Sequence, residues 1–223
     1  MTAPSIALVD DHALVVQSLS AAFAQAGIEC KAISPRAGEE LIAEVVEAQP
    51  TLALLDLDLG PFGSSTPLIA PLTAADIRVV VLTGETDHIR LAEALEAGAI
   101  RIVPKSAAFS DLVDTIREVT VDPAIRRGPQ AAALLTELAA HRKQESAARA
   151  PFDDLTARER ETLTELAQGR TVHDIAMQWV VAETTVRSHV RSILTKLGVQ
   201  SQLQAVVKAV HHGWIDPEPG AGQ

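Results

Sequence analysis

Short apolar runs alternate with longer amphipathic stretches over the first 120 residues of the chain. The apolar runs are rich in β-branched residues and contain no internal proline or glycine, which is typical of buried strands. The stretches between them space apolar residues three and four positions apart, which predicts helices. The alternation therefore predicts an α/β domain, a sheet of five parallel strands covered by helices. The predicted strands are SIALVD (5–10), IECKAI (28–33), TLALLD (51–56), RVVVLT (78–83) and IRIV (100–103).

From residue 155 onward the spacing of apolar residues is helical throughout. Thr156 is followed three residues later by Glu159, which predicts a capping box at the start of a first helix ending near Gly169. Thr171 is predicted to cap a short second helix, and the residues VAET lead into a third. This order predicts a small all-α domain of the helix-turn-helix type.

The third helix of this part has an apolar face and a basic face. Its apolar residues recur at three and four positions, so they share the side turned toward the second helix. Arg187 and Arg191 lie outside that side, one turn apart. The residues predicted to face inward are Val186, Val190, Ile193, Leu194 and Leu197, against Ile175 and Trp179.

The composition changes between these two parts. VDPAIRRGPQ (121–130) is rich in turn-forming residues, and the alanine-rich stretch after it favours a helix. Leu134, Leu135 and Leu138 form a short apolar stripe that fits either domain or a second subunit, and a solvated helix is also compatible with it. We predict four segments: an α/β domain over 1–121, a linker with a helix over 122–152, a helix-turn-helix domain over 153–215 and a flexible tail over 216–223.

Composition and charge narrow the class of protein. The hydrophobic fraction of 47% and charged fraction of 22% are those of a soluble globular protein. No apolar run is long enough to cross a membrane, and no basic segment precedes the first apolar run, so we expect a cytoplasmic protein without a membrane partner. The net charge is −10, but residues 1–125 carry 18 acidic against 7 basic side chains, so the remainder is nearly neutral. Nucleic-acid binding therefore stays possible for the C-terminal part alone.

Polar residues stand where the predicted parallel strands end. Asp10 and Asp11 close the first strand, Asp56 the third and Thr83 the fourth, and Lys105 follows the fifth. Open α/β sheets bind ligands at this edge. Grouped carboxylates repel one another unless a cation neutralises them, and oxygen ligands suit Mg²⁺. A carboxylate here can act as nucleophile toward a phosphoryl group, with the threonine and lysine contacting its oxygens.

Each of these residues also has a simpler interpretation. Asp10 or Asp11 alone fits a helix cap, Asp56 fits a turn at the end of a strand, and Lys105 fits a solvated side chain. Together these interpretations require several coincidences at one edge of the sheet. The joint pattern therefore favours a phosphoacceptor pocket.

Residues 1–120 resemble the receiver domain of bacterial two-component response regulators, through these residues and ALEAGA (94–99). The resemblance implies a flavodoxin-like fold. It also implies that Asp56 is the phosphoacceptor and that Thr83 and Lys105 contact the phosphate. It implies a Mg²⁺ ion held by the side chains of Asp10, Asp11 and Asp56 and by the backbone carbonyl of Asp58.

Two positions depart from the receiver pattern. Ile102 occupies the place, three residues before the pocket lysine, where a tyrosine or phenylalanine is usual. The loop LDLGPFGSS places Pro61 and Gly63 one position away from the usual proline and glycine. An aromatic switch is therefore absent, and we expect the access to the pocket or the dephosphorylation rate to be unusual.

The third helix of the C-terminal part is the candidate DNA reader. A recognition helix inserts its N-terminal part into the major groove, where Arg187 and Arg191 are spaced to reach guanine edges or phosphates. Thr184, Thr185 and the helix N-terminus suit backbone phosphates. A solvated helix face is the simpler alternative for the two arginines.

Residues 153–215 resemble the LuxR-type DNA-binding domain, through LTARERETLTELAQGRTVHDIA and VAETTVRSHVRSILTKLGVQSQLQAV. The resemblance implies that Arg187, Ser188 and Arg191 face the bases and that a final helix near 200–212 is a dimerisation surface. Gln202 stands where arginine is frequent, and Val172 and His173 stand where asparagine and lysine are common. Thr171, which precedes Val172 and His173, is also a DNA-binding candidate.

The two resemblances together identify a response regulator of the NarL/FixJ class. They imply phosphorylation by a sensor histidine kinase, a homodimer and binding to double-stranded promoter DNA, without an enzymatic role. One alternative is a regulator with the same fold controlled by a partner or ligand instead of phosphorylation. Another is a phosphoryl-transfer enzyme that uses Asp56 as a covalent intermediate, although the chain has no glycine-rich nucleotide loop.

Overall fold

The computed structural model describes residues 4–121 and 127–215. The first part of the chain forms a five-stranded parallel sheet in the order β2-β1-β3-β4-β5, as predicted. The strand ends are in register, with Val9 opposite Leu55, Leu55 opposite Val81, and Thr83 opposite Pro104. The strands are β1 (Ser5–Val9), β2 (Glu29–Ile33), β3 (Leu52–Leu55), β4 (Arg78–Thr83) and β5 (Arg101–Pro104).

Ten α-helices are assigned within the described residues. Those of the first part lie between and after the strands, where the spacing of apolar residues predicts helices. In the first part they are α1 (Ala13–Gln25), α2 (Gly38–Glu47), α3 (Thr66–Ala74), α4 (His88–Ala97) and α5 (Phe109–Val121). The others are α6 (Pro129–Asp153), α7 (Ala157–Ala167), α8 (Val172–Trp179), α9 (Glu183–Leu197) and α10 (Gln202–His211).

The sheet separates two apolar clusters because successive side chains of a strand point to opposite faces. Ala7 and Val9 belong to the cluster that includes α2, α3 and α4. Ile6 and Leu8 belong to the other cluster, with α1 and α5. Both faces of the sheet are therefore covered at its centre, which explains why β1, β3 and β4 are buried apolar runs, whereas the edge strand β2 is mostly exposed.

The first turns of α6 pack on the α/β domain. Ala131 is buried, and Leu134 and Leu135 are half-buried, in the same cluster as Leu91 of α4 and Ile102 of β5. The apolar stripe predicted in the linker thus has a partner, and the solvated-helix alternative is wrong for this part of α6. Residues 122–126 of the predicted turn and the predicted tail at 216–223 lie outside the described residues.

Contacts divide the chain into two compact units, with the division between Ala139 and Ala140, inside α6. The second unit contains α7 to α10. Capping boxes begin α7 and α8, at Thr156 with Glu159 and at Thr171 with Asp174. Both predicted caps are confirmed.

The predicted inward face of α9 is buried, but its partners differ from those expected. Val186 packs with Ile175 and half-buried Trp179, as predicted. Ile193 and Leu197 instead pack in a second cluster, with Phe152 of α6, Leu163 of α7, and Ala205 and Ala209 of α10. The reason is that α8 has only eight residues and reaches only the first turns of the longer α9.

Among the described residues, no helix is long and apolar enough to span a bilayer.

Candidate functional site

The carboxyl ends of β1, β3 and β5 bring three charged side chains into contact. Lys105 Nζ donates a hydrogen bond to Asp56 Oδ2 at 2.6 Å and lies 2.6 Å from Asp10 Oδ2. The side chains of Asp10 and Asp56 are 1% and 4% exposed, and that of Lys105 is 20% exposed. The lysine is therefore not simply solvated, and Asp56 is more than a turn residue. The N-cap residue of α1 is His12, so the structure does not support a capping role for Asp10 or Asp11.

Charge within this pocket is only partly balanced. Burial alone lowers the pKa of Lys105, but its contacts with Asp10 and Asp56 outweigh burial and raise the pKa above its ordinary value. Asp10 Oδ2 is fully buried and accepts no well-oriented hydrogen bond, although the ammonium is close. One ammonium thus faces three carboxylates, counting Asp11, which leaves negative charge for a cation to neutralise.

His12 also belongs to the pocket, although the sequence did not predict it. Its Nδ1 lies 2.6 Å from Asp11 Oδ1, 3.1 Å from Asp10 Oδ1 and 3.9 Å from Asp56 Oδ2. One ligand atom from each of these four residues lies within 4.8 Å of the others. The only sequence signal was its position directly after two aspartates. We call Asp10, Asp11, His12, Asp56 and Lys105 the acidic pocket.

The acidic pocket fits the Mg²⁺ ion that the sequence predicts. Carboxylate oxygens at this spacing are the hard ligands that Mg²⁺ takes, with water or phosphate completing its shell. Asp58, whose carbonyl is the further predicted ligand, has its amide nitrogen 3.4 Å from Asp56 Oδ1. Its main chain therefore stays beside the Asp56 carboxylate.

Thr83 is buried at the end of β4. Its carbonyl oxygen accepts a hydrogen bond from Lys105 N at 2.9 Å, which ties it to the pocket lysine. Its Oγ1 accepts from Glu85 N at 3.0 Å. Because that bond uses an oxygen lone pair, the hydroxyl can still donate its proton to another oxygen.

The loop after β3 approaches the pocket through Gly60. This residue has a φ of +61°, and a Cβ built on it would lie 2.6 Å from Asp11 Oδ2. Proline has a φ near −65° and cannot take this conformation. The geometry therefore accounts for a proline at position 61 instead of 60.

The candidate DNA-reading residues other than Thr171 lie on one exposed surface of α9, within its first nine residues. Within the described residues Arg191 makes no ion pair, whereas Arg187 NH2 lies 3.1 Å from Glu183 Oε2. Thr171 is exposed, but its hydroxyl donates to Asp174 Oδ2 and accepts from Asp174 N in the capping box of α8. The exposed α9 candidates are Thr184, Thr185, Arg187, Ser188 and Arg191.

Lys196, a third cation of α9, is not part of that surface. Its Nζ donates to Glu159 Oε2 at 2.7 Å, and Ser192 Oγ donates to Glu159 Oε1. Burial alone raises the pKa of Glu159, but hydrogen bonds from Lys196, Ser192 and Thr156 outweigh it and lower the pKa to about 2. This cation therefore fastens α9 to α7 inside the unit.

Comparison with known families covers both units. Residues 6–117 match the model of the response regulator receiver domain, and residues 153–209 match that of the bacterial regulatory proteins of the luxR family. The transcriptional regulatory protein LiaR of Bacillus subtilis is 30% identical, over 92% of this chain and 95% of LiaR. The DNA-binding transcriptional activator DevR/DosR of Mycobacterium tuberculosis is 33% identical, over 96% of this chain and 97% of its own.

Solved structures agree on the fold. One such structure is RcsB from Salmonella enterica serovar Typhimurium, bound to a promoter in the presence of a phosphomimetic. The alignment covers 93% of this chain and 98% of the RcsB chain, at 20% identity and a TM-score of 0.51. Both predicted resemblances are thus confirmed at the level of family and fold. The chain belongs to the response regulators of the NarL/LuxR class, DNA-binding transcriptional regulators in which a receiver domain precedes a LuxR-type domain.

Proposed function

We propose that this chain is a transcriptional regulator switched by phosphorylation of Asp56, and that it binds promoter DNA as a dimer. The observation that carries the proposal is the contact of Lys105 with Asp56 and Asp10 at the ends of three strands. Because the promoter target is bacterial chromosomal DNA, the protein acts in the cytoplasm.

The phosphoryl group comes from a phosphohistidine of a sensor histidine kinase. The Asp56 carboxylate attacks phosphorus, a P–O bond forms, the P–N bond breaks, and the released imidazole takes up a proton. Lys105 and Thr83 then contact phosphoryl oxygens. Asp10, Asp11, Asp56 and the Asp58 carbonyl would hold a Mg²⁺ ion, which would supply positive charge to the phosphoryl oxygens.

The signal leaves the pocket through β5 and α6. Ile102 lies three residues before Lys105 and packs in the same cluster as Ala131, Leu134 and Leu135 of α6. An isoleucine side chain has no aromatic ring that could rotate between two positions. We therefore assign the response to phosphorylation to a change in how α6 packs against the cluster that contains Ile102. A small shift of β5 changes that fit because packed interfaces have discrete arrangements.

The C-terminal unit supplies the output. The exposed basic surface of α9 enters the major groove, with Arg187, Ser188 and Arg191 toward the bases and Thr184 and Thr185 toward phosphates. Thr171 contributes as the cap that fixes the start of α8.

Helix α10 carries the dimer surface. Leu203 is 73% exposed and Val207 is 59% exposed there, and large apolar side chains at such exposure suit an interface. Two copies joined through this surface would present two recognition helices to a pair of half-sites.

Intact-mass measurement tests the proposal after incubation with acetyl phosphate and Mg²⁺. We expect one phosphoryl group on the wild type and none on Asp56→Asn. Asp58→Asn is the control, since it removes a neighbouring carboxylate while keeping the backbone carbonyl. Equal modification of the wild type and Asp56→Asn would reject Asp56 as the acceptor.

A regulator controlled by a partner or ligand is the second candidate, and Ile102 favours it because the usual aromatic residue is missing. Under that alternative, DNA affinity is the same with and without phosphorylation. The enzyme alternative leaves the basic surface of α9 without a role.

A further inference from the structure

Glu183 is an acidic residue on the basic surface of α9, and it contacts both helices of the helix-turn-helix. Its Oε1 lies 2.9 Å from His173 Nδ1 on α8. Its Oε2 accepts a hydrogen bond from Arg187 NH2 at 3.1 Å, one turn further along α9. The side chain is 42% exposed, so solvent and an approaching phosphate both reach it.

General electrostatics explains only part of this arrangement. A carboxylate in the first turn of a helix is favoured by the helix dipole. Hydrogen bonds from His173 first, and then from Arg187, lower the pKa of Glu183, so it is ionised at neutral pH. An ionised carboxylate facing DNA nevertheless repels phosphates and weakens binding to any sequence.

Backbone hydrogen bonds close the turn between α8 and α9, from Val180 N to Met177 O at 3.3 Å and from Val181 N to Ala176 O at 3.0 Å, but the start of α9 has no side-chain cap. Val180 has a φ of +55°, which is strained for a β-branched residue. Ala182 stands at the N-cap of α9 and provides no side-chain hydrogen bond to the helix. The contact of Glu183 with His173 is therefore the side-chain link that holds the start of α9 against α8.

We propose that Glu183 is a positioning residue for sequence recognition, holding the Arg187 guanidinium and the start of α9 in the geometry that reads base edges. This inference rests on the proposed entry of α9 into the major groove. A free arginine loses rotamer entropy when it makes a bidentate base contact, and an arginine already held by Glu183 loses less. Binding to phosphates alone needs no such order, so Glu183 opposes non-specific binding and favours specific binding.

The opposite signs of these two effects provide the test. An operator is first selected by the wild-type chain from a random-sequence duplex library, and a scrambled duplex of the same composition serves as the non-specific probe. For Glu183→Ala we expect affinity for the scrambled duplex to be unchanged or higher and affinity for the operator to fall. The ratio of the two affinities should drop roughly 5-fold to 20-fold, the lower part of the range for a lost bidentate base contact, because Arg187 itself is still present.

Two further variants make the outcome decisive. Glu161→Ala on α7 is the matched control, because Glu161 also pairs with an arginine on its own helix and its removal changes the net charge equally. Glu183→Gln keeps the length of the side chain and should lose part of the ratio, so a result does not depend on Glu183→Ala folding fully. If both affinities of Glu183→Ala rise equally and the ratio holds, Glu183 is only a repulsive charge and the inference is wrong.

Arg187→Ala separates this inference from the proposed function. If Arg187→Ala lowers operator affinity while Glu183→Ala leaves the ratio unchanged, α9 reads DNA and only the positioning role fails. If Arg187→Ala changes neither affinity, the proposed DNA-reading role of Arg187 fails and the inference fails with it.

Discussion

Lys105 and Asp56 are joined by a hydrogen bond of 2.6 Å across the end of the sheet, although 49 residues separate them in the chain. The same ammonium lies 2.6 Å from Asp10. A phosphoryl group on Asp56 would find this cation already in place, because the parallel register of the strands aligns their ends. Because of this contact, a substitution in the pocket should change the binding of phosphate or Mg²⁺ there while it leaves the rest of the fold intact.

Binding of Mg²⁺ to the acidic pocket should stabilise the receiver domain. A ligand that binds only the folded state raises the unfolding temperature with its concentration. We expect a Mg²⁺-dependent increase in Tm for the wild type and little or none for Asp11→Asn, measured by thermal denaturation. Asp114→Asn is the control, since Asp114 is exposed on α5 with 78% of its side chain accessible. A Mg²⁺ response of Asp11→Asn equal to that of the wild type would exclude Asp11 as a ligand.

Substitution of Gly60 should damage the same site from the opposite side. Gly60→Ala places a Cβ 2.6 Å from Asp11 Oδ2 at a positive φ, so the loop or the carboxylate must move. We expect a loss of about 1–2 kcal/mol in the free energy of unfolding, together with weaker Mg²⁺ binding by calorimetry.

Gly63→Ala separates strain from proximity. Gly63 also has a positive φ, of +76°, but a Cβ there would meet no atom within 4 Å. This variant should lose stability and keep Mg²⁺ affinity. Equal Mg²⁺ affinities for Gly60→Ala and Gly63→Ala would show that the approach to Asp11 does not matter.

Glu159 should make the stability of the DNA-binding unit depend on pH. Its folded pKa of about 2 lies below the ordinary value of 4.5. The stabilisation is therefore fully present above pH 4.5 and is lost as the pH falls toward 2. Glu159→Gln should lower the free energy of unfolding by about 1–3 kcal/mol at pH 7, since Lys196 loses a charged partner.

Urea denaturation of the wild type and Glu159→Gln at pH 7 and pH 3 measures this effect. The difference between the two proteins should shrink at pH 3. Glu161→Gln, on the exposed side of α7, should match the wild type within about 0.5 kcal/mol at both pH values. A difference that is constant across this range would mean that the ionised carboxylate is not the stabilising species.

The apolar surface of α10 should govern dimerisation. Leu203→Glu places a charge on a side chain that is 73% exposed, so the monomer should fold normally while self-association of the phosphorylated protein weakens at least tenfold. Sedimentation after phosphorylation measures this directly. Leu14→Glu, at an equally exposed leucine of α1, is the control for a general effect of charge. Normal dimers of Leu203→Glu would place the dimer surface elsewhere.

Much of the fold and of the acidic pocket is predictable from the sequence because both follow from local patterns. Apolar runs give the strands, and the position of Asp10, Asp56 and Thr83 at strand ends brings them to one edge. His12 escaped prediction because its contact depends on the turn into α1. Glu183 was not predicted because its role depends on contacts with two residues, Arg187 on the same helix and His173 on another.

Other features depend on distances that no local pattern contains. The sequence alone suggests that Lys196 is a surface cation. Its partner Glu159 lies 37 residues away along the chain and is nearly buried. The left-handed conformation of Val180 has no sequence signal, since valine is disfavoured there. The packing of Ile102 against α6 likewise required the tertiary structure.

The most direct test of the phosphorylation switch is the affinity of wild type and Asp56→Asn for the selected operator, each with and without acetyl phosphate and Mg²⁺. We expect the phosphodonor to raise the affinity of the wild type at least tenfold, together with the appearance of a dimer, and to leave Asp56→Asn unchanged. Equal operator affinity for the wild type with and without the phosphodonor would contradict control by phosphorylation and point to regulation by a partner or ligand.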